Sequence, residues 1–197
     1  RARFEDQAAK AYVLDDLPQA RGLRIGVLEL PGFYRDFRAE SEGNKEFRST
    51  TRDVQNLLED LKRKGVDGIV VDLRGNGGGS LTEATDLTGL FIDKGPVVQV
   101  KDSFGKVEVE NDVAPGAVYS GPLAVLVDRN SASASEIFSA AMQDYGRAII
   151  IGEPTFGKGT VQTLIDLNRY VPGNGEDLGR LRLTMAEFYR INGGSTQ

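Results

Sequence analysis

The amino-acid sequence predicts an α/β fold with a largely parallel sheet and packed helices. Two patterns carry that prediction. Short apolar runs alternate with amphipathic helical runs through the middle of the chain. The runs at residues 66–73, 123–127 and 148–151 are mainly aliphatic, as strands covered on both faces require. A third observation concerns the site. Loops at 74–79, 128–133 and 152–159 leave those runs, and ligands collect at the carboxyl ends of strands in such sheets. These loops are expected to meet at one edge.

Residues 1–10 are charged and read as a linker remnant. Residues 11–13 and 23–30 are β-type runs, the second ending at Pro31. Residues 34–50 are charged, lack periodicity and are expected to be partly mobile. From 51 to 64, Val54, Leu57, Leu58 and Leu61 recur at helical spacing, and Gly65 is placed to end the helix. Residues 66–73 predict a buried parallel strand, 75–79 a glycine loop, and 80–91 a second helix. Strands at 97–100 and 106–110 flank a turn at 102–105. Residues 123–127 predict a buried strand, 133–145 a third helix, and 148–151 another buried strand. Peripheral strands at 161–167 and 181–189 complete the β content around a Gly/Pro/acid loop at 172–179.

Composition narrows the chemistry. A chain of 197 residues fits a single domain, and 40% hydrophobic content suffices for a core. A net charge of −5 argues against nucleic acid as the main partner. The basic run Lys62-Arg63-Lys64 suits the end of its helix without any partner. No segment approaches the roughly 18 apolar residues of a membrane span. The chain has no histidine and no cysteine, which excludes a Ser-His-Asp triad, a Cys-His pair and thiolate metal sites. No metal and no cofactor are expected. The chain starts at Arg1 and reads as a piece of a longer protein, so a missing targeting segment carries no information.

The segment Gly152-x-x-x-x-Gly157-Lys158-Gly159 is close to a phosphate-binding loop. Gly159 stands where that motif needs Ser or Thr for Mg²⁺, and Thr160-Val161-Gln162-Thr163 reads as strand where the motif opens a helix. A dinucleotide fold fails similarly, because Ser80 follows Gly75-x-Gly77 where a glycine or alanine is needed.

Ser133 lies at the start of a predicted helix, in Ser131-Ala132-Ser133-Ala134-Ser135-Glu136. Helix starts offer unpaired N–H groups and partial positive charge. A nucleophile there could have the Ala134 amide beside it as an oxyanion donor, with Gly78 or Gly79 giving a second. The competing role is structural, since Ser133-x-x-Glu136 is also a capping box; Ser131 could cap instead and leave Ser133 free. Without histidine, a lysine or carboxylate must take the serine proton. Lys158, beside Phe156, could serve if burial lowers its pKa. Gln162, four residues on, would share its face in a strand and could orient the amine. Asp144 lies eleven residues beyond Ser133, about 16 Å along a helix. It is expected to be structural, for example by pairing with Arg147.

The run from Val127 to Phe138, then Met142-Gln143-Asp144-Tyr145-Gly146-Arg147-Ala148, then residues 152–162, resembles the C-terminal processing peptidases. The tail-specific protease branch is the nearer likeness. Asp72-Leu73-Arg74-Gly75-Asn76-Gly77-Gly78-Gly79 and residues 188–197 fit as well. The resemblance covers nearly the whole chain and is weakest over 34–50. It implies a crotonase/ClpP-like core and a serine endopeptidase with a Ser/Lys dyad. Ser133 would be the nucleophile, Lys158 the general base and Gln162 its orienting partner. Ala134 with Gly78 or Gly79 would form the oxyanion hole, and Asp144 would support. Family members cut polypeptides near C-terminal tails, usually in the bacterial periplasm, and carry a PDZ domain that this sequence does not display. The whole chain then reads as one catalytic core. An alternative is an incompetent or peptide-binding fragment of such a protease.

Overall fold

The computed structural model describes residues 8–16, 18–170 and 177–196. In chain order its strands are β1 (Lys10–Leu14), β2 (Ile25–Glu29), β3 (Gly68–Asp72), β4 (Gly95–Asp102), β5 (Val107–Asp112), β6 (Leu123–Val127), β7 (Ile149–Gly152), β8 (Thr160–Asp166) and β9 (Arg180–Tyr189). Its α-helices are α1 (Phe37–Ser41), α2 (Thr50–Arg63), α3 (Leu81–Gly89) and α4 (Ala134–Asp144). Most of the predicted 172–179 loop, and residues 1–7 of the predicted linker, lie outside the described residues. The linker expectation fails at its end: Ala8 is buried and Lys10 already pairs with Glu29.

The central sheet runs β1-β2-β3-β6-β7, with β1 antiparallel and the other neighbours parallel. The predicted α/β architecture with a largely parallel sheet is therefore the observed one. A second sheet, wholly antiparallel, runs β5-β4-β9-β8. In α2, Ser49 caps the start by accepting from the Arg52 N–H, and Val54, Leu58 and Leu61 are fully buried. Burying those three side chains contributes roughly 6 kcal/mol. Gly65 ends the helix with φ of 67°. In the core, Phe91 meets Phe138 of α4 edge-on, with ring centroids 5.7 Å apart.

Two expectations are corrected. The strand at 149–152 is not buried: Ile149 is 69% exposed and Ile151 49%. It is the terminal strand of the sheet, and periodicity cannot tell an edge strand from a central one. Residues 34–50 are tied down rather than loose. Thr50 donates its N–H to the Tyr34 carbonyl, Asp36 N–H goes to the Arg48 carbonyl, and Tyr34 Oη donates to Asp53. Arg35 stacks over the Phe47 ring at 4.7 Å. The fasteners are long-range polar contacts, which leave no periodic apolar signature.

Candidate active site

The loops at 74–79, 128–133 and 152–159 converge as predicted. Gly75 N–H donates to Asp128 Oδ1 at 3.0 Å, Ala132 N–H to the Asn76 carbonyl at 3.0 Å, and Phe156 N–H to the Ser131 carbonyl at 3.0 Å. Asn76, fully buried, is the junction. Its Nδ2 donates to the Leu30 carbonyl, and its carbonyl also accepts from Ser135 Oγ. Ser131 does not cap α4. Its hydroxyl accepts from the Asp128 N–H and donates to the Leu73 carbonyl, tying two strand ends together.

Ser133 has φ of 59° and ψ of −114°. A non-glycine residue there costs on the order of 1–3 kcal/mol, and such strain clusters at functional turns. A capping-box arrangement surrounds it. Its Glu136 arm is the bond from Ser133 N–H to Glu136 Oε2 at 2.7 Å, and the Glu136 N–H also donates to the Ser133 backbone carbonyl at 2.9 Å. The hydroxyl itself makes no capping hydrogen bond.

Glu136 does more than cap. Its buried carboxylate also accepts from Thr155 Oγ1 at 2.8 Å, Gly157 N–H at 2.6 Å and Lys158 N–H at 3.1 Å. One side chain therefore joins the serine turn to the lysine loop. It sits in the first turn of α4, where the helix dipole favours negative charge. Sequence patterning marks Glu136 only as a cap and does not mark Asn76.

Ser133, Ala134, Gly79, Lys158 and Gln162 line one cavity of about 180 Å³, with Leu81, Ile137, Val161 and Phe188 as its apolar wall. Lys158 is half-buried and has no ion-pair partner among the described residues. Its side chain is not hydrogen-bonded to Ser133, and Gln162 Nε2 reaches Thr184 Oγ1 at 3.5 Å rather than the lysine. The strand-alternation argument for Gln162 needs amending. β8 starts after Lys158, and a bulge between Val161 and Gln162 interrupts the alternation. Bulges re-aim side chains, and here Gln162 still lines the cavity.

The glycine loop presses on the serine turn. A Cβ on Gly78 would stand 2.8 Å from the Ser133 Cβ and 2.6 Å from the Ala132 carbonyl oxygen. The Gly78 N–H is already donated to Asn76 Oδ1 at 2.9 Å. The N–H groups of Gly79 and Ala134 have no acceptor among the described residues. Between the two glycines, this leaves Gly79 as the open donor.

Asp144 does not pair with Arg147, whose guanidinium donates to the Phe91 and Tyr119 carbonyls. It pairs with Arg190, through Nε at 3.1 Å and through Nη2, and accepts from Asn192 Nδ2 at 3.1 Å. The chain beyond returns to the lysine loop, where Thr196 Oγ1 donates to the Lys158 carbonyl at 3.0 Å.

The sequence profile of Peptidase family S41 matches residues 24–197. The chain belongs to peptidase family S41. Among its S41 relatives, the tail-specific protease of Haemophilus influenzae is 47% identical over 197 residues, all of this chain and 26% of that protein. The carboxy-terminal-processing protease of Bartonella bacilliformis is 34% identical over 98% of this chain and 42% of its own length. The chain thus spans about a quarter to two-fifths of these relatives. Among solved structures, a photosystem II D1 C-terminal processing protease superposes with a TM-score of 0.74 at 29% identity, covering 96% of this chain and 45% of that one. Mature CPAF complexed with lactacystin, at 14% identity and a TM-score of 0.69 over 96% of this chain and 48% of its own, shares the fold. Among the described residues of this S41 chain, no helix is long and apolar enough to cross a membrane.

Proposed function

We propose that this chain is the catalytic core of a serine endopeptidase of the C-terminal processing type. The observation that carries the proposal is the single cavity in which a strained, helix-start serine and an unpaired lysine share walls with two open N–H donors. Lys158 takes the Ser133 Oγ proton while Oγ bonds to the scissile carbonyl carbon. The carbonyl pair moves onto oxygen, and the oxyanion is held by the N–H groups of Ala134 and Gly79. Collapse restores the carbonyl and breaks the C–N bond, with Lys158 returning the proton to the leaving amine. Water repeats the sequence on the ester, releasing the new carboxyl terminus and restoring Ser133. Gln162 orients the amine when substrate closes the site, since catalytic hydrogen bonds are often long before substrate binds.

The named relatives lead us to infer substrates selected by their C-terminal tails, and action in the bacterial periplasm, for the parent protein. The tail-selecting PDZ domain expected from the family belongs to the same proposal. Ser133→Ala and Lys158→Ala are each expected to lower cleavage of an unstructured substrate by the parent protein at least about 10³-fold. Wild-type turnover in either variant would refute the dyad. The open Ser133–Lys158 contact favours a second reading, a peptide-binding module without chemistry. Fluorophosphonate labelling separates the two: covalent modification at Ser133 supports the enzyme, and binding of a peptide with no labelling supports the module.

A further inference from the structure

The segment from Phe33 to Asp53 lies outside the cavity, yet it grips the loop that supplies the open glycine donor. Phe33 N–H donates to the Gly78 carbonyl at 3.0 Å, and Ser80 N–H donates to the Phe33 carbonyl at 2.9 Å. These two bonds bracket Gly79. The approach is so close that a Cβ on Gly79 would stand 2.1 Å from the Phe33 carbonyl oxygen, and Gly79 itself has φ of 150°. Two residues beyond Phe33, the Arg35 guanidinium donates to Glu83 Oε1 at 2.7 Å. Glu83 is in the first turn of α3, four residues after Gly79. Its carboxylate is fully buried and also accepts from the Thr51 N–H at 2.8 Å and the Thr51 hydroxyl at 2.7 Å. Glu40 holds the other side of the guanidinium at 2.6 and 2.9 Å.

We propose that the Arg35–Glu83 pair is a positioning device for the Gly79 N–H, so that two residues outside the cavity set turnover. The inference rests on the oxyanion role proposed for Gly79. An apolar pair could hold these segments together as firmly, because a buried ion pair is a weak source of stability. What the pair adds is register. Glu40 locks the guanidinium through Nε and Nη2 from its own segment, and Glu83 takes Nη1 together with the Thr51 N–H and hydroxyl, so only one alignment of the two segments satisfies all of these bonds, whereas an apolar contact accepts several. The backbone bridge at Gly79 and the ion pair at Glu83 fasten the same two segments at two points. Together they fix rotation about Gly79, where glycine has no side chain to do so.

The test uses Glu83→Gln in the parent protein, with Thr51→Val as a gentler second variant. Glu83→Gln is expected to lower kcat about 10- to 100-fold while KM stays within about twofold, as for a displaced oxyanion donor. Binding of a peptide boronate, which forms a tetrahedral adduct, weakens by the same factor, while binding of a cleaved product peptide is unchanged. Thr51→Val, which loosens Glu83 but leaves its bond to Arg35, gives a smaller shift in the same direction; if Glu83→Gln does not fold, Arg35→Lys, which keeps the charge and loses the guanidinium geometry, decides the matter by the same readouts. In both variants the Gly79 amide resonance moves. Unchanged kcat and boronate affinity in a folded variant would overturn the proposal. So would equal losses in kcat, product-peptide binding and thermal stability, which mark a merely structural role. Failure of the catalytic reading is separately visible, as absence of fluorophosphonate labelling at Ser133 in the wild type. In that event an unmoved Gly79 resonance in Glu83→Gln also overturns the coupling.

Discussion

The two ends of α4 each carry a carboxylate, and both reach the lysine loop by different routes. At the start, Glu136 is 2% exposed and binds that loop directly, through Thr155, Gly157 and Lys158, while also holding the Ser133 N–H. At the far end, Asp144 acts through intermediaries: it holds Arg190 and Asn192, and Thr196 then holds the Lys158 carbonyl. The helix dipole favours the first charge and opposes the second. Arg190 is the compensation that makes Asp144 tolerable there. Direct, buried contacts transmit position more faithfully than a relay along half-buried chain, so the two carboxylates should differ in what they cost to remove.

The largest effect is expected for Glu136→Gln. An amide cannot accept from all four donors, and at least one is left unpaired in a buried place. Stability should fall by about 3 kcal/mol in urea unfolding, and fluorophosphonate labelling of Ser133 by about 100-fold. Labelling at the wild-type rate would break the comparison at its stronger end. Asp144→Asn comes next. It removes the counter-charge of Arg190, which keeps its bond to Gln143, and relieves the dipole, so we expect a loss of about 1–2 kcal/mol and labelling slowed about tenfold. A penalty as large as that of Glu136→Gln would show that the relay is as stiff as the direct contact.

A third carboxylate sharpens the contrast through pH. Hydrogen bonding from the Gly75 N–H first, then from the Asn130 N–H and Ser131, holds Asp128 below the usual carboxylate range. Its stabilising contribution is therefore fully present above the unfolded value of about 4 and is lost as pH falls through the lowered folded value. Asp128→Asn should lose that part of the acid dependence and change neutral-pH labelling less than either α4 variant. An unaltered acid unfolding curve would show that Asp128 does not couple the glycine loop to the serine loop.

Much of the fold was legible because its signals are local. Val54, Leu58 and Leu61 announce α2, and the aliphatic runs announce β3 and β6. The candidate site was legible in its residue types: a serine at a helix start, a glycine-flanked lysine, and no histidine. Other features were not. The exposure of β7 depends on its having no neighbour on one side, which is a property of the sheet and not of Ile149 or Ile151. The order given to residues 34–50 depends on Arg35 finding Glu83 across 48 positions. The partner of Asp144 lies 46 positions away, at Arg190, while the sequence offers the nearer Arg147.

The sequence by itself determined most of the helices and strands, though not the short α1 at Phe37–Ser41, and which side chains are available for chemistry. Hydrophobic periodicity and turn residues act over a few positions, so these properties can be read in place. Only the tertiary structure decided which donor meets which acceptor. Gly78 spends its N–H on Asn76 and Gly79 does not. Glu136, a cap by its spacing, becomes the tie between the serine turn and the lysine loop. The physical reason is that a hydrogen bond requires atoms within about 3 Å and well aligned. Segments far apart in the chain reach such positions only when the whole sheet has assembled.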